Sequence, residues 1–311
     1  MKKYYFIPLI IISLFTFSCS NKKITWINAA KAADFGARNG QTAVVFDNKM
    51  WVIGGGSIKN IYNDAWSTND GISWKEAAAK AGFAARECHT SVVFNNKIWV
   101  IGGVSSGMYL NDVWNSADGI KWDKVTPSTS FVPRMCHTSV VFDNKIWVIG
   151  GYNGDSDIFL NDIWYSGDGI NWYTGNISPA FYPRCKHTSL VFENKMWVIA
   201  GRNLDDDFND AWYSDNGEDW TQATPSAAFH TRSFHSSVVF NNAMWVIGGE
   251  SNFNYFNDAW YSYDGMQWMK AECGAAFSPR ASQSSVVYNN AVWLISGWNN
   301  SNYFNDVWEF K

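Results

Sequence analysis

The sequence predicts an all-β chain folded as a six-bladed β-propeller, with four antiparallel strands per blade and the N-terminal strand completing the last blade. Three observations carry that prediction. A unit opening on an arginine recurs at Arg38, Arg86, Arg134, Arg184, Arg232 and Arg280, at intervals of 48, 48, 50, 48 and 48 residues. Each unit holds four short β-patterned runs separated by turn signals, and four strands at such a period make propeller blades. Eighteen of the 19 Trp fall into three registers of the repeat: 51, 99, 147, 197, 245, 293 in strand b; 66, 114, 164, 212, 260, 308 in strand c; 26, 74, 122, 172, 220, 268 at strand d. Large aromatics in register fill the gaps between stacked blades.

The first twenty residues stand apart from this pattern. Lys2 and Lys3 precede an apolar stretch from Tyr4 to Phe17, then Ser18-Cys19-Ser20. A basic start and an apolar run too short to span a bilayer read as an export signal. Cys19 stands where a bacterial lipoprotein is cut and lipidated, with Thr16 in place of the usual Leu; simple cleavage after Ser20 is the alternative. The expected organisation is a signal peptide over 1–20, a short tether over 21–23 and the propeller over 24–311. That places the protein on the cell envelope, on either membrane face.

Within the second unit, strand a is expected at Thr90–Phe94, followed by an Asn95-Asn96 turn. Strand b is expected at Ile98–Ile101, ended by Gly102-Gly103. Strand c starts near Asp112, and Asp118-Gly119 then turns the chain into a strand d ending near Trp122. Asp-Gly is a favoured type I′ pair. The last unit ends in strand c at 307–311, while an orphan strand d, Ile24-Thr25-Trp26, stands at the front, twelve residues before its Arg as in every other unit. Pairing it beside 307–310 removes an open sheet edge.

Net charge is −4 and no long basic run occurs, which argues against nucleic acid. Cys88, Cys136, Cys185 and Cys273 are scattered, and no disulfide framework is expected from them.

Arg-x-x-His, an apolar strand with an aromatic, Gly-Gly and then a Trp resembles the kelch repeat, and six copies in register cover 24–311. The hairpin Ser116–Trp122 is similar to the Asp box of sialidases, one residue short. The resemblance implies a propeller whose relatives include peptide-gripping adaptors, the copper enzyme galactose oxidase and bacterial sialic acid mutarotases. No ligand pattern like that of the copper enzyme is present, so no cofactor is expected. Fold alone does not fix function.

The six units act as internal controls: a position filled alike six times serves structure, while one that changes between blades can build a single site. Phe35 and its five equivalents read as core anchors. The Arg of each unit and an Asp after Asn (64, 112, 162, 210, 258, 306) read as ion pairs, or the Arg as a basic ring at the channel mouth. His89, His137, His187 and His235, with Gln41 and Gln283 completing the series, read as hydrogen-bonding groups rather than metal ligands. The residue after Gly-Gly varies as Gly56, Val104, Tyr152, Arg202, Glu250, Trp298, and the residue two before each Arg includes Tyr182 and His230. These sit on the d–a and b–c loops, which share one face. The candidate binding residues are therefore Tyr152, Tyr182, Arg202, His230, Glu250 and Trp298, with Arg134, Arg184, Arg232 and Arg280 of the ring. The acidic group Asp205–Asp207 with Asp155 and Asp157 reads as a solvated cluster.

No nucleophile–base pair or metal set stands out. The favoured reading is a non-catalytic module binding a glycan or a peptide through that face. Two alternatives stay open: a mutarotase for a sugar acid, with Glu250 or His230 as acid/base, and a structural assembly scaffold.

Overall fold

The computed structural model describes residues 22–126, 129–176, 178–273 and 277–311. The export segment and Cys19 lie outside the described residues. Six four-stranded antiparallel sheets are arranged as blades around a central channel. In blade 1 the strands are Thr42–Phe46, Lys49–Ile53, Ala65–Thr68 and Lys75–Ala78. Blades 2 to 5 repeat this order, and strand a of every blade lies beside strand a of the next. Blade 6 is assembled from both ends of the described chain. Ser284–Tyr288, Ala291–Ile295 and Val307–Phe310 are completed by Ile27–Ala30. Ile27 pairs with Glu309 and Asn28 with Trp308.

The a–b turns are the tight ones. Asn95 and Asn96 have φ of 47° and 54°, the two left-handed residues a type I′ hairpin needs. The c–d turn differs from the expectation. Gly119 has φ of 73° but Asp118 is not left-handed. Instead the Asp118 carboxylate accepts from the backbone N–H groups of Ile120 and Lys121, at 2.8 and 2.9 Å. This holds Ile120–Trp122 in the turn, so strand d begins after the Trp, at Asp123, rather than ending on it. The orphan strand shifts likewise, from the expected 24–26 to Ile27–Ala30, and Lys23–Ile24 pairs in parallel with Glu272–Cys273.

The core consists of six clusters, each shared by neighbouring blades. Val44, Phe46, Trp51 and Ile53 of blade 1, for instance, pack on Phe83, Ile98, Val100 and Trp122 of blade 2. The three Trp registers have three different polar anchors. Strand b Trp99 donates to Phe94 O at 2.8 Å, strand c Trp114 to the Asp112 carboxylate at 2.8 Å, and Trp122 to Gly119 O at 3.2 Å. The anchor Phe residues meet the third set edge to face, as Phe83 does Trp122 at 5.0–5.2 Å in all six blades. Burying an indole whose N–H has a partner avoids the desolvation penalty of an orphaned donor.

Candidate functional site: the channel mouth

Strand a starts, strand b ends and strand c starts at one end of each blade, so the d–a and b–c loops meet around the channel there. In blades 2, 3 and 4 strands b and c run on past the sheet body as a projecting hairpin, Lys97–Ser105 with Met108–Ser116 in blade 2. The mouth is built in tiers.

The arginine tier is structural. All six guanidinium groups are fully buried. In blade 3, Arg134 donates to both oxygens of Asp162 at 2.7 and 2.8 Å, to Gly150 O at 2.9 Å and to Val132 O at 3.2 Å. Arg184, Arg232 and Arg280 repeat this with Asp210, Asp258 and Asp306. The reading of Arg134, Arg184, Arg232 and Arg280 as ligand-binding cations is therefore corrected. Four of the five N–H donors of each go to a bidentate carboxylate and two carbonyls, and the whole group is shut away from the channel and solvent. The carboxylates of Asp112 and Asp258 are held below their usual range by their Arg and Trp donors, against the opposing effect of burial.

The channel wall below the mouth is a belt of hydroxyls and imidazoles around a cavity of about 270 Å³. Each contact crosses from one blade to the next. Thr90 Oγ1 lies 3.1 Å from His137 Nε2 and 2.5 Å from Ser139 Oγ, and Thr138 repeats this with His187 and Ser189. Where Gln replaces His, its amide donates to the strand b carbonyl of the preceding blade: Gln283 to Ile247 O at 2.8 Å, Gln41 to Ile295 O at 3.1 Å. The corresponding carbonyls of Ile53, Ile101, Ile149 and Ile199 face the four imidazoles. Burial, reinforced by the nearby Arg, lowers all four His, His89 and His187 to about 3, so they are neutral rings in a hydrogen-bonded belt.

Above that belt lies a ring the sequence reading passed over: Gly40, Cys88, Cys136, Lys186, Phe234 and Ser282, each two residues after its Arg. All six have φ between 52° and 59°. Their backbones form a closed circle, since each N–H donates to the carbonyl of its counterpart one blade back. Cys88 bonds Gly40, Cys136 bonds Cys88, Lys186 bonds Cys136, Phe234 bonds Lys186, Ser282 bonds Phe234, and Gly40 bonds Ser282, at 2.8–3.3 Å. Five non-glycine residues in this conformation store strain, and such strain collects at functional sites. The geometry is constant while the side chains change in every blade but one step. Lys186 Nζ sits 4.1 Å from the centroid of the Phe234 ring. The signal was available, because this position changes chemistry between blades as a site position should.

The next tier holds the residue after Gly-Gly, paired with the residue after Arg through two backbone hydrogen bonds: Met135 with Tyr152, Cys185 with Arg202, Ser233 with Glu250, Ala281 with Trp298. Three of the candidates form a continuous sector over blades 4 to 6. Arg202 Nε stands 3.8 Å from the buried carboxylate of Asp207, which also accepts from Ser251 Oγ at 2.9 Å. Glu250 is buried and accepts from Ser233 Oγ and Phe253 N, at 3.3 and 3.2 Å. Trp298 stacks on Tyr303 and meets Tyr255 edge to face, and Tyr255 donates to Asn300 Oδ1 at 3.0 Å, tying the loops of blades 5 and 6. Tyr152 belongs instead to a cluster with Tyr109 and Phe159. Its hydroxyl donates to Asp157 at 2.6 Å, which pushes its pKa up to about 12. Tyr182 and His230 lie further out on the d–a loops, stacked on Phe208 and Phe256. No hydrogen bond joins His230 to Glu250 among the described residues. The acidic residues also divide, with Asp157 on Tyr152 and Asp207 on Arg202.

At the rim the b–c loop tips carry exposed apolar side chains: Ile58, Met108, Ile158, Leu204 and Phe253, between 51% and 84% exposed, and on the d–a loop of blade 4 Tyr182 is 68% exposed. These five stand one to a blade, on the b–c connections that surround the mouth in blades 1 to 5.

A family model described as the KLHDC2/KLHL20/DRC7 Kelch-repeats domain matches the chain over residues 10–167 and again over 137–311. No curated protein matches it.

Proposed function

The chain belongs to the kelch-repeat family, whose propellers generally mediate protein–protein interactions, and from that premise we propose that it binds a segment of a protein partner at the face bearing the d–a and b–c loops. The observation that carries this reading is the crown of Ile58, Met108, Ile158, Leu204 and Phe253 around the mouth. Apolar loop tips offer contact area to side chains of a partner, while Arg202, Lys186 and Tyr182 add polar and stacking contacts that differ by blade and so fix register. A glycan would engage the same sector through Trp298 and Tyr182. The peptide reading is preferred because aliphatic tips predominate over stacking platforms. Acid–base chemistry is less favoured, since Glu250 already accepts two hydrogen bonds and stands apart from His230.

The protein acts as an exported module in this reading, with the 1–20 segment a lipoprotein-type signal cut before Cys19, which remains as the lipid anchor. Lys22 supports an outward-facing mouth. It occupies the position of the c–d turn in blade 6, at the end of the propeller opposite the loops, with its ammonium 5.0–5.4 Å from the rings of Trp245, Tyr261 and Tyr263. A tether leaving there presents the mouth away from the membrane. Loss of membrane association in Cys19→Ser, with folding unchanged, tests the anchor.

Selection of a random peptide library on the immobilised protein tests the binding face. Enriched peptides are expected to lose at least tenfold in affinity on Leu204→Asp/Phe253→Asp and to bind unchanged on Ile120→Asp at the opposite end. Peptides indifferent to the first variant, or saturation transfer from a sugar panel with no peptide enriched, would reject the reading.

A further inference from the structure

We propose that Cys88 and Cys136 form a disulfide that staples blade 2 to blade 3 across the channel mouth. The two cysteines are 48 residues apart in sequence but consecutive members of the strained backbone ring. Cys136 N donates to Cys88 O at 2.9 Å, and the two residues share nearly the same φ, 52° and 54°. With standard bond lengths that hydrogen bond holds the Cα atoms at most about 6.8 Å apart, inside the span of about 4.4–6.8 Å that disulfides bridge. Both residues also belong to the lining of the same channel cavity, so their side chains border one space. The equivalent pair one blade back gives the lateral spacing: a Cβ built on Gly40 would lie 3.4 Å from Cys88 Sγ. Both thiols are free and both line the channel, with Cys88 the more exposed.

The chemistry needs an oxidant of the small-disulfide class. The Cys88 thiolate attacks one sulfur of that disulfide, forming a mixed disulfide and releasing one thiolate. The Cys136 thiolate then attacks Cys88 Sγ and releases the second. The two cysteines lose two electrons and their two protons pass to the released thiolates, so one disulfide is exchanged for another. The neighbouring Cys136 thiol, and then burial, push the Cys88 thiol up, so the exchange is faster in alkaline buffer. Cys185, buried and raised to about 12, is the nearby control.

Full-length protein is incubated without denaturant with oxidised glutathione, alkylated and mapped by mass spectrometry. The expected product is a linked Cys88–Cys136 peptide pair, 2 Da lighter than the sum of its reduced halves. It persists in Cys185→Ser and disappears in Cys88→Ser and Cys136→Ser. Both thiols remaining alkylatable after the incubation, a stable glutathione adduct on Cys88, or a Cys136–Cys185 link would each overturn the proposal.

Discussion

Arg184 and Asp210 are joined fork to fork, the two terminal nitrogens of the guanidinium donating to the two carboxylate oxygens at 2.7 and 2.9 Å. The same Arg reaches Ala200 O at the end of strand b and Tyr182 O in the d–a loop. One side chain therefore ties three segments of the mouth, and the loop that carries Tyr182 is set by a buried ion pair rather than by surface contacts.

Removing one partner of this pair leaves an uncompensated buried charge. Asp210→Ala should cost about 3–5 kcal/mol, read as a lower urea midpoint at constant slope. The double change Arg184→Met/Asp210→Leu should recover much of that loss, since apolar replacement of a whole buried pair is often neutral. A single variant losing under about 1 kcal/mol would mean the pair is solvent-screened like a surface bridge.

The four channel histidines make stability depend on pH in a defined direction. In the folded protein they are lowered, His89 and His187 to about 3, by burial and the neighbouring Arg. Unfolded histidine titrates near about 6.5. Between these values the unfolded chain binds more protons, so stability falls as pH drops below about 6.5, by up to about 1.4 kcal/mol per pH unit for each ring. Because Gln41 and Gln283 fill this position in two blades, His187→Gln should fold well. Its denaturation midpoint between pH 4.5 and 6 should fall less steeply than wild type. Identical slopes would remove His187 as a source of the dependence.

The two positions of the Gly-Gly pair are not equivalent. The first is Ala200 in blade 4 and Ser296 in blade 6, at φ of 53° and 60°. The second is glycine in all six blades, and at Gly201 (φ 97°) an added Cβ would stand 2.6 Å from His187 Cβ. Gly201→Ala should therefore cost at least about 2 kcal/mol, whereas Ala200→Gly should change stability by less than about 1 kcal/mol. Equal effects in a denaturant series would contradict the packing argument.

Repetition made the fold legible. The Arg, the second glycine of the Gly-Gly pair and three Trp registers recur six times, and each recurrence has one physical role, so register, blade number and closure all followed from spacing. The strand d boundary did not, because Asp118 satisfies two backbone N–H groups with its side chain and keeps Ile120–Trp122 out of the ladder, which a dipeptide rule for Asp-Gly does not convey. The mouth was legible only in part. Arg202, Glu250 and Trp298 were found by their variation and do share a sector, yet Tyr152 turns to Tyr109 instead. The ring of Cys88, Cys136, Lys186 and Phe234 showed the same variation between blades, but its closed backbone circle was not legible, because nothing in residue type announces a left-handed backbone at Cys or Phe. The exposed loop tips were invisible for a similar reason: an Ile in a strand and an Ile on a loop tip differ only in surroundings.

The N-terminal strand offers the sharpest separation of packing from hydrogen bonding. Trp26 is buried edge-on against Phe277 at 5.0 Å, as its counterparts are against theirs, and here Phe310 adds a second edge contact at 4.7 Å. Those counterparts donate to the glycine carbonyl of their own c–d turn, as Trp122 does to Gly119 O, but in blade 6 strands c and d come from opposite ends of the described chain and the Trp26 N–H has no partner among the described residues. Trp26→Phe should thus cost about 1 kcal/mol less than Trp122→Phe, the worth of one net hydrogen bond. Trp26→Ala should cost about 3–5 kcal/mol, because it empties the contact that fixes the closing strand. Deletion of residues 22–30 removes the pairing with Val307–Glu309 altogether and exposes strand c of blade 6 as an open edge. The expected result is loss of cooperative melting together with concentration-dependent association. A truncated protein that melts in one transition at the wild-type temperature would mean that the backbone ring through Gly40 and Ser282 closes the propeller unaided.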